Sequence, residues 1–449
     1  MNAAVENPRM IIRESKMKPF QWVAISLCVA MTALDGFDVL SVSFVGPELA
    51  REWGVTATQQ ANMGNAGLFG MIIGSLIFSP VADIIGRRNV LLVSLSIITV
   101  GMFASAAAPN YEIMLALRFV TGFGIGTMFA PVNSMAAEYA STKRRGLAVG
   151  LNVLGYPLGT TIGGLIATWM LAEHGPSLPW QSVFILGGVL TAALIPLLLL
   201  FMPESMEFLL SKRPKNALPK INVVMKKLGH APLTELPPPD EESAKPGGLV
   251  EILKQPYLAR VIIIIVAYFM TISVFYFGNF LAPRVLAQIG FSGSTARLAT
   301  ISITIGGMLG SLVFGIMAAR FRFQLLTTVV CVLATVMTSV IGLMLGSVYT
   351  LIPGLILIGF FINAGIAGFY TGMAASFPAH LRATGSGFTL GIGRFGAMVG
   401  PLVGGMMLDR GFEFGRVYLI VGLTMLVSAV FMQFLKVEAP KGQAGGLAH

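Results

Sequence analysis

Charge is what this sequence has least of. Asp, Glu, Lys and Arg make up only 11% of its 449 residues, where a soluble domain carries about 25%. With 55% hydrophobic residues, that excludes a soluble globular fold. Cysteine is scarce too. Cys28 and Cys331 both sit in apolar segments, which excludes a disulfide framework and offers no metal-ligand spacing. The only histidines, His174, His230, His380 and His449, all fall outside the apolar segments. With no Ser/His or Cys/His set and no metal cluster, neither an enzyme nor a cofactor is expected. The N-terminus is polar up to Lys18, and no small-residue cleavage site follows. The first apolar segment therefore reads as a retained helix rather than a signal peptide.

What is present in quantity is apolar length. Stretches long enough to span, about 20 residues each, fall near 20–45, 63–82, 90–108, 111–135, 146–171, 181–202, 257–283, 297–319, 324–345, 350–376, 383–408 and 416–436. They predict an all-α polytopic membrane protein with twelve transmembrane helices. Gly, at 52 residues, suits close helix packing. The expected organisation is a tail (1–19), a six-helix bundle (20–202), a polar, Pro-rich central loop (203–256), a second six-helix bundle (257–436) and a C-terminal tail (437–449).

The basic residues give the orientation. With the N-terminus inside, 22 of the 30 Lys and Arg fall on inner segments and five on outer loops, among them Arg284 and Arg297. That bias predicts both termini in the cytoplasm. It also accounts for the net charge of +10 as a membrane-surface effect, with lipid rather than nucleic acid as the partner. The two halves repeat each other. Gly74-Ser75-Leu76-Ile77-Phe78 recurs as Gly310-Ser311-Leu312-Val313-Phe314, an offset of 236. Arg145, Gly150, Gly159 and Gly163 recur as Arg382, Gly387, Gly396 and Gly400, an offset of 237. Two six-helix halves are a transporter architecture with the substrate site near the midplane, and a monomer suffices for it.

Against that apolar background the buried charges stand out. Asp35 and Asp38, three residues apart in the first span, share a helix face about 4.5 Å apart along the axis. Carboxylates at that depth cost roughly 2.5–3.5 kcal/mol each, so their face must meet water, a cation, a proton or another helix. Arg118 lies about seven residues inside the fourth span; it either snorkels to the outer headgroups or faces a partner or a water-filled cavity. Arg394 lies about eleven residues, roughly 16 Å, into the eleventh span, too deep to snorkel. Two readings stay open for it: an ion pair with Asp35 or Asp38, or a fork for a substrate carboxylate, which guanidinium geometry suits. Among the dense aromatics of spans seven and ten, Tyr276, with Asn279, and Tyr370 are candidates to line a cavity. Between spans two and three runs Gly74-x8-Asp83-x2-Gly86-Arg87-Arg88, and Glu138-x4-Lys143-Arg144-Arg145 follows span four. Both also fit plain positive-inside loops.

These motifs carry a resemblance. The loop from Gly74 to Arg88 resembles the signature loop of the major facilitator superfamily, where it latches one conformation. Its second-half counterpart decays, with Ala319 for the Asp and Phe323-Gln324 for the Arg pair. Arg118-x3-Gly122-x-Gly124-x-Gly126 resembles that superfamily's fourth-helix motif, associated with proton coupling. Glu138 and Arg145 resemble its inner charge network. The drug-antiporter pattern of span five is broken by Thr160 in place of Pro. Asp35-Gly36-Phe37-Asp38 together with Gly391-x-Gly393-Arg394-x-Gly396 resembles, more narrowly, the aromatic acid:proton symporter family. The resemblance implies an inner-membrane importer of benzoate-type acids in which Asp35 and Asp38 are needed for transport and Asp83 and Arg87 for the conformational cycle. Two alternatives stay open: a proton-driven exporter of drugs or other organics on the same fold, and an importer of a non-aromatic acid such as muconate.

Overall fold

A computed structural model of the protein describes residues 7–172, 177–237, 249–288, 290–318, 320–341, 348–377 and 381–435, without the side chains of 78–80, 83, 249, 374 and 382–384. The C-terminal tail at 437–449, Ala319, and the Pro-rich run of the central loop from Pro238 onward lie outside the described residues.

The described chain is helical. In order come α1 (Pro8–Glu14), α2 (Pro19–Trp53), α3 (Ala57–Ile85), α4 (Arg87–Ala106), α5 (Tyr111–Glu138), α6 (Arg145–Met170), α7 (Gln181–Phe201), α8 (Met206–Lys212), α9 (Ala217–Leu228) and α10 (Leu249–Ile252). Then follow α11 (Tyr257–Gln288), α12 (Gly293–Ala318), α13 (Phe323–Val340), α14 (Val348–Ser376), α15 (Arg382–Gly393), α16 (Gly396–Asp409) and α17 (Phe414–Gln433). Local chemistry sets several ends. The Asn7 side chain accepts from the Arg9 N–H ahead of α1, Thr56 and Gln59 form a capping box on α3, and Asn110 accepts from the Ile113 N–H on α5. Gly54, in the left-handed region, ends α2.

Among the described residues, 11 segments are long and apolar enough to cross a membrane. The remaining expected span, 63–82, lies inside the 29-residue α3. Span one is longer than its hydropathy suggests. Helix α2 continues through Pro47 to Trp53, so Glu48 is helical. Arg284 and Arg297, expected on outer loops, lie instead within α11 and α12 and are buried. The central loop carries α8 and α9. Helix α9 has a buried face of Ile221, Val224, Met225 and Leu228.

The chain forms two compact units, one of residues 1–243 with 279–301, the other of 244–278 with 302–449. In the first, α2 packs on α6, α3 on α5, and α4 on both α5 and α7. In the second, α13 packs on α14 and α17. The sequence repeat is also a packing repeat. A Cβ on Gly74 would stand 2.2 Å from the Phe123 carbonyl, and one on Gly310 would stand 2.0 Å from that of Phe360. Gly159 meets the Ala33 carbonyl as Gly396 meets that of Phe269. Each pair of contacts is related by the same offsets of 236 and 237. Small residues are thus required where backbones touch, at equivalent places in both units.

Span eleven is not one continuous helix. At the join of α15 and α16 the Phe395 N–H donates to the Ile392 carbonyl (3.1 Å), that of Ala397 to Arg394 (2.9 Å) and that of Met398 to Phe395 (3.0 Å). These bonds close over three residues rather than four, a tightened turn of the 3₁₀ kind. Arg394 sits on that turn.

Candidate functional site: two arginines inside spans

In the first unit, Arg118 projects from α5 to Asp38 on α2. Its Nη1 donates to Asp38 Oδ1 at 2.9 Å, and both side chains are only 3% exposed. The exposure rules out snorkelling. Arg118 Nη2 donates to Ser105 Oγ at 2.7 Å, and the guanidinium carbon stands 4.9 Å from the Phe184 ring centre. Nη1 also lies 3.3 Å from Ser41 Oγ, whose hydroxyl donates to the Asp38 carbonyl (2.7 Å). Burying two charges is costly unless they are paired and hydrogen-bonded, and here they are. A narrow cleft of about 10 Å³ runs beside the pair, past Val42, Met63 and Gly67.

The residues between the two aspartates explain the motif's spacing. A Cβ on Gly36 would lie 2.1 Å from the Tyr156 carbonyl, and the Gly36 carbonyl accepts from Thr160 Oγ1 (3.0 Å). Phe37 fills the space left by Gly163 and Gly187. Gly36 therefore presses α2 onto α6, while Asp38 turns to α5. Asp35, also on α2, is buried at 5% exposure.

In the second unit, Arg394 is half-buried. It makes a side-chain hydrogen bond with the Tyr268 phenol, and the phenols of Tyr370 and Tyr276 lie nearby. Tyr268 Oη lies 3.4 Å from Tyr370 Oη, and their rings are 6.0 Å apart. Tyr268 is buried, at 1% exposure, whereas Tyr370 is 43% exposed. The structure thus brings together three of the expected substrate residues, Arg394, Tyr276 and Tyr370. Asn279 falls in the first unit, where its carbonyl accepts from Ser43 Oγ (2.5 Å) and Thr300 Oγ1 (3.1 Å). Tyr268 was legible only as one of many aromatics. Its place is marked by Gly393, whose Cβ would stand 2.4 Å from the Tyr268 ring.

The expected gate residues also gather in the first unit. Arg87 Nη1 and Glu138 Oε2 are 2.6 Å apart. Glu138 further accepts from Ser205 Oγ (2.9 Å) and the Glu207 N–H (2.7 Å). Glu204 accepts the backbone N–H of Arg88 (3.0 Å) and of Ser205 (2.9 Å). Gly86 joins α3 to α4 with φ +98, a conformation that favours glycine, and a Cβ there would meet Glu204 at 2.4 Å. Gly74 provides the α3–α5 contact. Arg145, exposed, opens α6 beside Arg87 and Glu138. The Asp83 side chain lies outside the described residues. The sequence motif did not reveal that α8, from the central loop, caps this cluster through Ser205 and Glu207.

One more ion pair was missed. Arg297 on α12, 1% exposed, meets Glu48 on α2 at 2.6 Å. Among the described residues no cluster of His, Cys, Asp and Glu could hold a metal ion.

Comparison with known proteins agrees with the fold. The family profile described as Major Facilitator Superfamily matches residues 27–337 and 266–447. A gallate transporter of Pseudomonas putida is 29% identical over 413 residues, covering 92% of this chain and 91% of that one. A 4-hydroxybenzoate transporter of Acinetobacter baylyi is 29% identical over 433 residues, covering 95% and 93%. Among solved structures, the xylose transporter XylE from E. coli in its inward open conformation superposes with a TM-score of 0.73 at 15% identity, covering 94% of this chain and 98% of that one. At that identity the likeness shows the fold alone.

Proposed function

This chain belongs to the major facilitator superfamily and is a transporter rather than an enzyme; from that premise we propose that it imports a small aromatic carboxylate, together with a proton, across the inner membrane. The observation that carries the reading is Arg394. It stands on a tightened turn inside a span, hydrogen-bonded to the Tyr268 phenol, with those of Tyr370 and Tyr276 nearby. Neutral phenols orient a guanidinium and leave its positive charge in place. A carboxylate can complete the site with two parallel hydrogen bonds, and the ring of Tyr370, 43% exposed, offers a face to an aromatic body. The names of the gallate and 4-hydroxybenzoate transporters support that class of cargo.

The proton is taken up at the Asp35/Asp38 pair, with Arg118 as counter-charge. Protonating Asp38 cancels one half of a buried ion pair. Arg118 then keeps its contacts to Ser105 and Phe184 and loses its carboxylate. Such an exchange has two discrete arrangements, and cargo and proton together bias which one is populated. The Arg87–Glu138 cluster serves as the gate that re-forms once per cycle.

Uptake of radiolabelled benzoate, 4-hydroxybenzoate, gallate and muconate into cells expressing the protein tests this reading. External pH is varied, with and without a protonophore. The proposal expects accumulation of an aromatic acid that rises at low external pH and collapses with the protonophore. Uptake of muconate alone would replace the aromatic cargo. Loss of preloaded acid from energised cells would reverse the direction.

A further inference from the structure

We propose that the cleft behind the Arg87–Glu138 pair binds a phosphate oxyanion, carried by a phospholipid headgroup or free in solution. The cleft has a volume of about 380 Å³, within the range of small-molecule sites. Four guanidiniums line it: Arg9 and Arg13 from α1, Arg87 from α4 and Arg145 from α6. Its two carboxylates are already engaged. Glu138 takes Arg87, the Ser205 hydroxyl and the Glu207 N–H, and Glu207 takes Arg9 at 2.7 Å. Arg13 and Arg145 have no carboxylate partner among the described residues. Among the described residues the lining therefore carries a net charge of +2, four arginines against two glutamates.

The arginines do not belong to a loose surface run. Helix α1 is clamped in place. Ile12 is buried at 2% exposure, the Thr142 N–H donates to the Arg13 carbonyl at 2.8 Å, and Arg9 reaches Glu207. The Arg13 backbone is thereby tied to the loop that leads into Arg145. Flexible arginine side chains on two fixed walls can close around one ligand. Guanidinium forks match phosphate oxygens two at a time; one free phosphate dianion balances the +2 of the described lining, and singly charged phosphodiester headgroups balance it as two. The charge bias of the sequence assigns this face to the cytoplasm, where acidic headgroups and free phosphate both occur.

The test uses the purified full-length protein in nanodiscs, in two arms. In one, neutral phosphatidylcholine discs are titrated with inorganic phosphate, with chloride adjusted to hold ionic strength fixed, and thermal unfolding is followed. In the other, the discs contain a rising fraction of phosphatidylglycerol without phosphate, and retained lipid is counted by native mass spectrometry. Saturable binding in the first arm assigns free phosphate; in the second it assigns the headgroup. In whichever arm responds, Arg13→Gln and Arg145→Gln each weaken binding about 10-fold, the worth of one charge-assisted contact of about 1.4 kcal/mol. Arg144→Gln removes the same charge from an exposed residue outside the cleft and changes binding less than about 2-fold. The proposal fails if neither arm saturates, if Arg13→Gln and Arg145→Gln bind as the parent does, or if Arg144→Gln weakens binding as much as they do.

Discussion

Of the arginines inside spans, Arg118 stands in the first unit and Arg394 in the second, and their surroundings differ in kind. Arg118 is sealed at 3% exposure against the protein's own carboxylate, Asp38. Arg394 is half-buried and hydrogen-bonded to the Tyr268 phenol, with those of Tyr370 and Tyr276 nearby. The repeat sharpens the contrast. At its offset of 237, Arg394 corresponds to Pro157 and Arg118 to Leu355; at 236, Asp38 corresponds to Val274. Glycine contacts that hold the helices together obey the repeat, whereas the buried charges break it. Packing is shared between the units and chemistry is divided between them. In the proposed reading a proton opens the first unit's internal ion pair, and the cargo's carboxylate docks on the second unit's arginine beside its phenols.

Breaking the first arginine's pair is expected to have the largest effect. Asp38→Asn strands a buried guanidinium, a loss of about 3–5 kcal/mol, seen as a lower unfolding temperature and yield. Asp38→Asn combined with Arg118→Gln recovers most of that stability while uptake stays lost. Full stability of the single variant would mean that the pair is not structural. At the second arginine, Arg394→Lys keeps the charge and loses the fork. The expected outcome is unfolding like the parent's with apparent cargo affinity down roughly 10- to 150-fold, from about 1.5–3 kcal/mol. Equal destabilisation by Arg394→Lys and Asp38→Asn would erase the contrast.

Smaller changes probe how each arginine is framed. Gly36→Ala drives a methyl into the Tyr156 carbonyl and costs about 1–3 kcal/mol, read from thermal unfolding. Tyr268→Phe removes one hydroxyl beside Arg394, worth about 1 kcal/mol or roughly 5-fold in apparent affinity. It leaves the unfolding temperature within a few degrees of the parent's. A Tyr268→Phe protein that takes up cargo with unchanged affinity would remove the phenol from the site.

Much of this was legible in the sequence, because a charge in the middle of an apolar run is conspicuous. Asp35, Asp38, Arg118 and Arg394 stand out as charges within apolar runs. The fold is legible from span count, the repeat and the charge bias. Partners were harder. Asp38 meets Arg118 across 80 positions of chain, and hydropathy does not say which helices touch, so the sequence reading offers Arg394, and not Arg118, as the partner of that carboxylate. Glu48 and Arg297 read as loop residues because hydropathy falls at a charge. Each charge compensates the other, and both helices continue past the expected boundary. Tyr268 was hidden among the aromatics because packing rings and site rings look alike until a hydroxyl's neighbours are known.

The central claim is that Arg394 receives the cargo's carboxylate. Binding of 4-hydroxybenzoate and of its neutral amide to the purified protein, parent and Arg394→Gln, tests it most directly. The account predicts that the parent binds the acid at least about 10-fold more tightly than the amide, and that Arg394→Gln binds both weakly and alike. Undiminished preference for the acid in Arg394→Gln would contradict it.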